Sequence, residues 1–307
     1  MNSIISSTSD FSTTRLITSD KPNIISSPQD KFGTILFLPE GEGRRGEGGL
    51  RTKGYFKKSY DGKPLISIIT VVYNGEKFLE ETINSVINQT YDNVEYIIID
   101  GGSTDGTVDI IKKYEDRIDY WVSERDKGIY DAMNKAVKLS IGDWISFLGA
   151  DDFYLEDSIQ NYVISLQKST EFVDYISSNV ELISSSKLKN KMIGSKWEWK
   201  KFKKYMNVAH VGSLHNIKFF KENGLFNTSY KIAADYEILL RKKNNLKSLY
   251  VKALTAKMRD GGVSNQQKSL TLKETRDAKI STANRSKIIA YYEYYFALFK
   301  IFLKSYL

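Results

Sequence analysis

The pattern of apolar and polar residues from Leu65 onward predicts strands that alternate with helices. Residues 65–72 are a continuous apolar run rich in β-branched side chains, which is typical of a strand buried on both faces of a sheet. Residues 77–89 then place their apolar side chains near one helical face. The alternation continues with predicted strands at 94–99, 118–122 and 143–148 and predicted helices at 105–115, 129–139 and 155–167. This order predicts an α/β fold with a doubly wound, mostly parallel sheet flanked by helices.

The regions on either side of this alternation have different patterns. Residues 1–31 are rich in Ser and Thr without an apolar period, and residues 41–54 are rich in Gly, so we expect a flexible lead and a mobile loop. A short strand is predicted at 34–38, and helices are predicted at 231–241 and 288–307. The predicted division is a flexible, Gly-rich segment at 1–63, a core domain at 64–265 with halves 64–152 and 153–265, and a helical, aromatic and basic C-terminal extension at 266–307.

Composition and charge limit the chemistry that the chain can carry. Its 307 residues include no Cys and two His, which excludes disulfides, thiolate catalysis and Cys-ligated zinc. The formal charge of +8 is uneven, with 8 basic and 17 acidic residues in 65–152 but 27 basic and 13 acidic residues in 153–307. This asymmetry predicts a hard-cation site in the first part and an anionic partner for the second, with a solvated mixed surface as the alternative.

A polar run with at least one carboxylate follows each of the four strands predicted from Leu65 onward. Ligands of open α/β sheets bind at the carboxyl ends of the strands, and clustered carboxylates repel one another unless a cation or hydrogen-bond donors neutralise them. The adjacent Asp151 and Asp152 offer hard oxygen ligands that suit Mg²⁺ or Mn²⁺. A turn or a helix cap explains an isolated pair of Asp residues, but four acidic strand ends favour a metal site. The runs are residues 73–76, 100–106, 123–128 and 149–152.

Five sequence motifs follow one another between about residues 65 and 262. They read IITVVYNGEKFLEETINSVINQTY, YIIIDGGSTDGT, SERDKGIYDAMNKA, LGADD and KIAADYEILLR. In this order and spacing they resemble the family 2 glycosyltransferases of the GT-A fold, in particular enzymes that build bacterial surface polysaccharides. The resemblance implies a metal-dependent, inverting enzyme that moves a sugar from a nucleotide sugar, with UDP expected, to a glycan or a lipid-diphosphate-linked oligosaccharide.

The resemblance also implies roles for individual residues. Asp152 is the expected ligand of Mn²⁺ or Mg²⁺, Asp235 is the expected catalytic base, and His210 and His215 are candidates for the acceptor side. Gly101 departs from the family's commoner Asp-Asp-Gly-Ser, where a second acid stands in its place. The residues expected to bind the nucleotide sugar are Tyr73, Glu76, Asp100, Ser103, Asp126, Lys127, Tyr130, Asp131, Asn134 and Asp151.

A carboxylate base is needed because an acceptor hydroxyl is a poor nucleophile near neutral pH. Structural alternatives exist for each of these candidates. Asp235 or Glu237 can cap or pair on a helix, residues 129–139 can form an ordinary capped amphipathic helix, and the two His can be packed core residues. A sugar nucleotidyltransferase is a rival activity, but the Gly- and Arg-rich loop that it needs after the first strand is absent.

Aromatic residues combined with Lys at 196–206 and 288–307 predict contact with an anionic membrane surface, with packing on the core domain as the alternative. No run of about 18 uncharged apolar residues and no signal-peptide pattern are found, so we expect a cytoplasmic protein peripheral to the inner face of the cell membrane. No nucleic-acid-binding motif accompanies the basic charge. A non-catalytic membrane or polyanion adaptor on a transferase fold is the rival from another class.

Overall fold

A ten-stranded sheet runs through the computed structural model, which describes residues 11–41, 43–184, 190–262 and 266–306. The strands are β1 (Gly46–Gly48), β2 (Ile66–Val72), β3 (Val94–Asp100), β4 (Tyr120–Ser123), β5 (Trp144–Phe147), β6 (Phe153–Tyr154), β7 (Tyr175–Ile183), β8 (Lys191–Ile193), β9 (Ser213–Asn216) and β10 (Ser248–Arg259). The α-helices are α1 (Leu79–Ile87), α2 (Thr107–Lys113), α3 (Ile129–Leu139), α4 (Ser158–Gln167), α5 (Trp199–Phe202), α6 (Ile217–Asn223), α7 (Ala234–Leu240), α8 (Lys268–Ser281) and α9 (Lys287–Tyr306).

The sheet is mixed, with a parallel centre. Its order is β1-β4-β3-β2-β5-β9-β7-β10-β6, and β8 pairs with β7. The four strands β4, β3, β2 and β5 are parallel, whereas β1 joins β4 and β9 joins β5 in antiparallel fashion. The sequence predicted the α-helices and the parallel strands between residues 65 and 167, but it did not predict the antiparallel strands that widen the sheet, among them β6.

Two layers of helices bury the two faces of β2, which explains its unbroken apolar run. Ile66 and Ile68 face a core formed with α1, α2 and α4. Ile69 faces the opposite core, to which α3, α6, α7 and α8 contribute. A strand covered on both faces has no solvent-facing positions, so its side chains do not alternate in polarity.

Residues 11–18 of the N-terminal segment pack against the core and residues 46–48 join the sheet, which corrects the predicted flexible lead and mobile loop at these positions. Most of residues 19–29, by contrast, are exposed. Ser12 and Ile17 are buried, and β1 adds an edge strand beside β4. A Cβ at Gly46 or Gly48 would lie 2.8 or 2.6 Å from the ring of Trp121, so these glycines allow close packing. Residues 1–10 of the predicted lead and residue 42 of the predicted loop lie outside the described residues.

Residues 34–38 are not a strand, although their composition predicts one. The main-chain N–H of Ile35 donates to the carbonyl of Lys138, and that of Leu38 donates to the hydroxyl of Tyr120. Their hydrogen bonds therefore go to the end of α3 and to a side chain. This arrangement satisfies the backbone without a ladder to a neighbouring strand.

The aromatic residues of 196–206 face inward more than the membrane prediction implied. Trp197 and Phe202 are buried, with ring centroids 4.0 Å apart, and Phe202 lies 4.9 Å from Tyr236. Tyr205 is exposed. Across the described ranges, none of the helices is long and apolar enough to cross a membrane. The domain boundaries at 64 and 265 stay a prediction.

Candidate active site

The loops that follow the parallel strands are joined to one another at the carboxyl edge of the sheet. Asn74, after β2, donates its main-chain N–H to Ser103 Oγ (2.7 Å) and accepts from the N–H of Thr104 at Oδ1 (2.8 Å). Glu76 accepts from the N–H of Gly106 (2.7 Å). Asn74 was not among the site residues predicted from the sequence, and its φ of 52° is one that Asn tolerates better than most residues. An Asn-Gly pair directly after a buried strand is the available signal for it.

Asp100 lies under this loop rather than on its surface. It is fully buried and accepts from the main-chain N–H groups of Gly102 (3.2 Å) and Ser103 (3.0 Å) and from the hydroxyls of Ser103 and Ser123. Tyr73, by contrast, is 65% exposed. The carboxylate of Asp100 therefore stabilises the conformation of the loop. Of the residues predicted to bind the nucleotide sugar at this edge, Tyr73 and Glu76 lie nearer the solvent.

The structure gives a reason for Gly101. A Cβ on this residue would lie 2.5 Å from Oδ2 of Asp126, which follows β4. The carboxylate of Asp126 therefore occupies the space into which a side chain at position 101 would project. Burial raises the pKa of Asp126, and the N–H of Gly128, which donates to its Oδ1 (2.8 Å), opposes that shift.

Asp131 closes the first turn of α3. Its Oδ2 accepts from the main-chain N–H of Lys127 (3.0 Å), and Gly128 has a φ of 120° that suits glycine. The side chain of Lys127 is exposed at the same edge. The capped-helix interpretation of 129–139 thus holds for Asp131, while Lys127 remains accessible to a ligand.

Two residues of α3 that were expected to bind the nucleotide sugar face the protein interior. Tyr130 is buried, and its hydroxyl lies between the carbonyl of Ile232 and Oδ1 of Asp235, 3.2 Å from the latter. Asn134 donates to the carbonyl of Phe226 and accepts from its N–H, both at 2.9 Å. These contacts join α3 to the chain that leads into α7.

Asp151 and Asp152 follow β5, and Asp152 is almost entirely buried. Its Oδ1 accepts from the main-chain N–H of Arg259 (3.0 Å). Burial and then the neighbouring Asp151 raise the pKa of Asp152 to about 7. A Cβ at Gly149 would lie 2.6 Å from Asp152 Oδ2 and 3.1 Å from Asp151 Oδ1, so this glycine gives the carboxylates room.

A divalent hard cation fits this pair of carboxylates. The described residues contain no group of three or more His, Cys, Asp or Glu side chains that could hold a metal ion. Mg²⁺-type ions, however, typically use one or two protein carboxylates and complete their coordination with substrate phosphates and water. A cation would also favour the charged form of Asp152, which burial opposes.

Arg259, at the end of β10, secures the Asp151–Asp152 segment. Its Nη1 donates to the carbonyl of Asp151, and its Nη2 pairs with Glu81 at 2.5 Å. The guanidinium also lies 4.3 Å from the ring centroid of Phe78. The Gly-turn predicted at 259–264 begins here, and its residues 263 and 264 lie outside the described residues.

Asp235 has one oxygen held by the protein and one left open. Oδ1 accepts from the main-chain N–H of Tyr236 (2.8 Å) and contacts the hydroxyl of Tyr130, while Oδ2 has no hydrogen bond within the described ranges. Glu237 instead pairs with Arg241 at 2.6 Å. The structural alternative of an ion-paired helix residue therefore describes Glu237 and not Asp235.

The two histidines differ in their access to the site. His215 is fully buried among Phe219, Phe220 and other rings, so it has no surface for a ligand. His210 is half-buried and stacks on Phe147 with centroids 5.0 Å apart. In the described part of the chain, its Nε2 and both ring nitrogens of His215 are buried without a hydrogen-bond partner, so this feature does not distinguish the two residues. Burial lowers the pKa of His210, and the charge of Asp235 opposes this shift.

Comparison with known proteins identifies the family of this chain. The model of the family described as "Glycosyl transferase family 2" matches residues 67–221. The chain therefore belongs to glycosyl transferase family 2, and the predicted class of protein is confirmed. Asp235 lies beyond the matched residues, so its assignment rests on the geometry described above and on the resemblance of its motif.

Among the relatives, an uncharacterized glycosyltransferase of Rickettsia typhi is 31% identical over 185 residues, which are 57% of each chain. A PGL/p-HBAD biosynthesis glycosyltransferase of Mycobacterium tuberculosis is 29% identical over 208 residues, covering 66% of this chain and 80% of that protein. The putative teichuronic acid biosynthesis glycosyltransferase TuaG of Bacillus subtilis is 33% identical over 151 residues, 43% of this chain and 60% of TuaG. The chain thus spans little more than half the length of the first and third of these relatives.

Solved structures confirm the predicted GT-A fold. TarS 1–349 of S. aureus in complex with UDP-GlcNAc has a TM-score of 0.56 and 16% identity over 74% of this chain and 69% of TarS 1–349. The mannosyltransferase PcManGT of Pyrobaculum calidifontis, in complex with GDP-Man and Mn²⁺, has a TM-score of 0.55 and 17% identity over 78% of this chain and 71% of PcManGT. At this identity the likeness concerns the fold.

Proposed function

We propose that this protein is a metal-dependent, inverting glycosyltransferase that uses a nucleotide sugar, with UDP as the nucleotide. The acceptor is a glycan or a lipid-diphosphate-linked oligosaccharide of a surface polysaccharide. The observation that carries the proposal is the set of carboxylates that follow the parallel strands, with Asp126 against Gly101 and Asp152 after β5. Asp235 is joined through Tyr130 to α3, the helix that follows the Asp126 loop. Support comes from TarS with UDP-GlcNAc, PcManGT with GDP-Man and Mn²⁺, and relatives named for polysaccharide or glycolipid biosynthesis.

In the proposed reaction, Asp235 accepts at Oδ2 the proton of an acceptor hydroxyl as that hydroxyl attacks the anomeric carbon of the donor sugar. The bond between this carbon and the nucleoside diphosphate breaks in the same displacement. One base without an enzyme nucleophile gives inversion at the anomeric carbon. His210 is half-buried and near enough to Asp235 to feel its charge, so we assign it to the acceptor side and leave out the enclosed His215.

Asp152, together with Asp151, would hold the divalent cation. When bound, Mn²⁺ or Mg²⁺ supplies stabilisation of the negative charge that develops on the diphosphate. The protein's part is to present a deprotonated carboxylate at the end of β5. Because the pKa of Asp152 is about 7, we expect Mn²⁺ to bind more tightly as the pH rises through neutrality and the proton leaves.

Asp152→Asn is expected to abolish the Mn²⁺-dependent increase in melting temperature that a UDP-sugar gives the wild type, because a neutral amide replaces the anionic ligand. A panel of nucleotide sugars with and without Mn²⁺, measured by thermal shift, tests this expectation and identifies the donor. Asp109→Asn, at an exposed position on α2, is the matched control. An undiminished Mn²⁺-dependent response of Asp152→Asn would remove it from the metal site.

We also propose that α9 binds the inner face of an anionic membrane. One face of α9 packs on α8, where Ala290 is buried and Glu293 pairs with Lys279 at 3.0 Å. The other face leaves large apolar side chains exposed beside lysines, the combination that lies at a lipid interface. Its exposed residues include Ile288, Tyr292, Tyr295, Phe299 and Phe302, and its described Lys side chains are Lys287 and Lys300.

The double variant Phe299→Glu, Phe302→Glu is expected to release the protein from liposomes that contain anionic lipid, because two charges then replace apolar contacts. Co-sedimentation of wild type and variant measures this effect. Ile25→Glu, which changes an apolar residue that is 78% exposed elsewhere on the surface, is expected to bind as the wild type does. Equal sedimentation of the double variant and the wild type would contradict a membrane role for α9. Liposome binding without sugar transfer by the wild type would favour the adaptor alternative.

A further inference from the structure

The carboxylate of Glu274, on α8, lies beneath the loop that leads to Asp235. Glu274 is 8% exposed. Its Oε1 accepts from the main-chain N–H of Lys231 (2.8 Å), and its Oε2 accepts from those of Ile232 (2.8 Å) and Ala233 (3.0 Å). Hydrogen bonds to an ionised acceptor are stronger than neutral ones, and a buried charge needs such donors. One side chain therefore fixes three consecutive peptide groups just before α7.

The same stretch of main chain is held from the opposite direction by Tyr130. The hydroxyl of Tyr130 donates its single proton either to the carbonyl of Ile232 or to Oδ1 of Asp235. Its ring packs against Phe226 with centroids 5.5 Å apart, which fixes the position of the hydroxyl. The main-chain N–H of Ile232 is thus bound by α8, and its carbonyl lies within hydrogen-bond distance of the Tyr130 hydroxyl on α3.

A second contact of the C-terminal region reaches α7 further along. Thr282, directly after α8, donates its hydroxyl to Glu237 Oε1 at 2.8 Å. Glu237 in turn pairs with Arg241, whose Nη1 donates to the carbonyls of Asn223 and Leu225. The helix that carries Asp235 is therefore connected to the C-terminal region before its start and on its second turn.

We propose that Glu274 is a positioning residue for the base: it fixes the main chain of residues 231–233 so that Asp235 presents Oδ2 to the acceptor. The proposal rests on the proposed function, because it concerns the base of that reaction. Glu274 lies outside the residues that the family model matches. It gives the C-terminal region a part in catalysis that is distinct from membrane contact.

Glu274→Gln is expected to lower kcat about 10- to 100-fold, because displacements near 1 Å at a reacting group have effects of this size. The amide keeps one acceptor oxygen, but its NH₂ group then faces main-chain N–H donors. The donor Kd is expected to stay within twofold of wild type, since Glu274 contacts none of the nucleotide loops. The measurements are kcat, donor Kd and the melting temperature of the full-length protein.

A double-mutant cycle with Asp235→Asn separates positioning from general destabilisation. Once the base is gone, Glu274→Gln is expected to leave the residual transfer rate unchanged within twofold. An equal loss of rate in the wild-type and Asp235→Asn backgrounds would overturn the proposal.

Glu293→Gln is the matched control, because Glu293 pairs with Lys279 and Arg285 in the same helical region without touching residues 231–233. We expect it to lower stability but not kcat.

A readout that does not depend on activity completes the test. Hydrogen exchange at the amides of Lys231–Ala233 is expected to accelerate at least tenfold in Glu274→Gln and to stay unchanged in Glu293→Gln; unchanged exchange in both would overturn the proposal. If Glu274→Gln fails to fold, Glu274→Asp keeps the charge and shortens the reach to the N–H groups of residues 231–233, and the same kcat loss and cycle are expected. Absence of sugar transfer by wild type refutes the proposed function, whereas the exchange measurement still decides whether Glu274 holds this loop.

Discussion

Asp235→Asn is expected to lower the rate of sugar transfer by a factor of about 10² to 10⁴, the usual contribution of a general base. Asn keeps the oxygen that accepts from the N–H of Tyr236 and that contacts Tyr130. It places an NH₂ group where Oδ2 stood, and this group has no lone pair for the proton of the acceptor. The variant therefore keeps the local structure and loses the chemical step.

Single-turnover transfer and the donor Kd, measured on the same preparation, test this expectation. The donor Kd should match that of the wild type, because the carboxylates proposed to hold the nucleotide and the metal follow other strands. Glu237→Gln is the control on the same helix: it weakens the pair with Arg241, so we expect lower stability with transfer largely retained. Wild-type turnover by Asp235→Asn would show that another group takes the proton.

Glu95→Ala is expected to lower the free energy of unfolding by about 3–5 kcal/mol, the usual cost of breaking a buried ion pair by removing one partner. The side chains of Glu95 and Arg51 are each 1% exposed, and Arg51 Nη2 donates to Glu95 Oε1. Glu95 also accepts from Ser67 and from the N–H of Ile141. Its removal leaves the buried guanidinium without its hydrogen-bonded carboxylate, so that Asp119 remains as the buried carboxylate that balances Arg51 and Lys57.

Urea denaturation gives this free energy, and a double variant identifies its source. Arg51→Met with Glu95→Leu removes both charges and fills similar volume, so we expect it to be more stable than Glu95→Ala. Glu115→Gln weakens the exposed pair with Lys53 and should leave the urea midpoint almost unchanged. A double variant as unstable as Glu95→Ala would indicate that packing, and not the unpaired charge, dominates.

The local pattern of apolar and polar residues was sufficient to predict a strand or helix where the residues of that element alone determine its structure. The apolar run at 65–72 and the helical period at 129–139 predicted β2 and α3 closely. A strand buried on both faces has a continuous apolar run, whereas a helix buried on one face has apolar residues at a helical period, so the two patterns differ. The N-terminal segment was harder to predict. Its Gly residues indicate mobility when they are read locally, but in the structure they allow contact with Trp121.

The candidate site was likewise predictable from the sequence only in part. The carboxylates at the strand ends were predictable, since the polarity of a residue after a buried strand is visible in the sequence. Which of them face a ligand was not predictable, because this depends on partners distant in the chain. Asn134 forms hydrogen bonds with the main chain of Phe226, which is 92 residues away in the sequence. The hydroxyl of Tyr130 contacts Asp235, which is 105 residues away.

The sequence by itself determined the alternation of strands and helices, the family, and the residue types available for catalysis, because these follow from local periodicity and from the order of motifs. The tertiary structure alone decided that Asp126 fills the space beside Gly101, that Arg259 secures Asp152, and that Glu274 holds the loop before Asp235. The physical reason is that burial and hydrogen bonding depend on which distant segments meet. Those contacts leave no periodic pattern in the sequence from which they could be predicted.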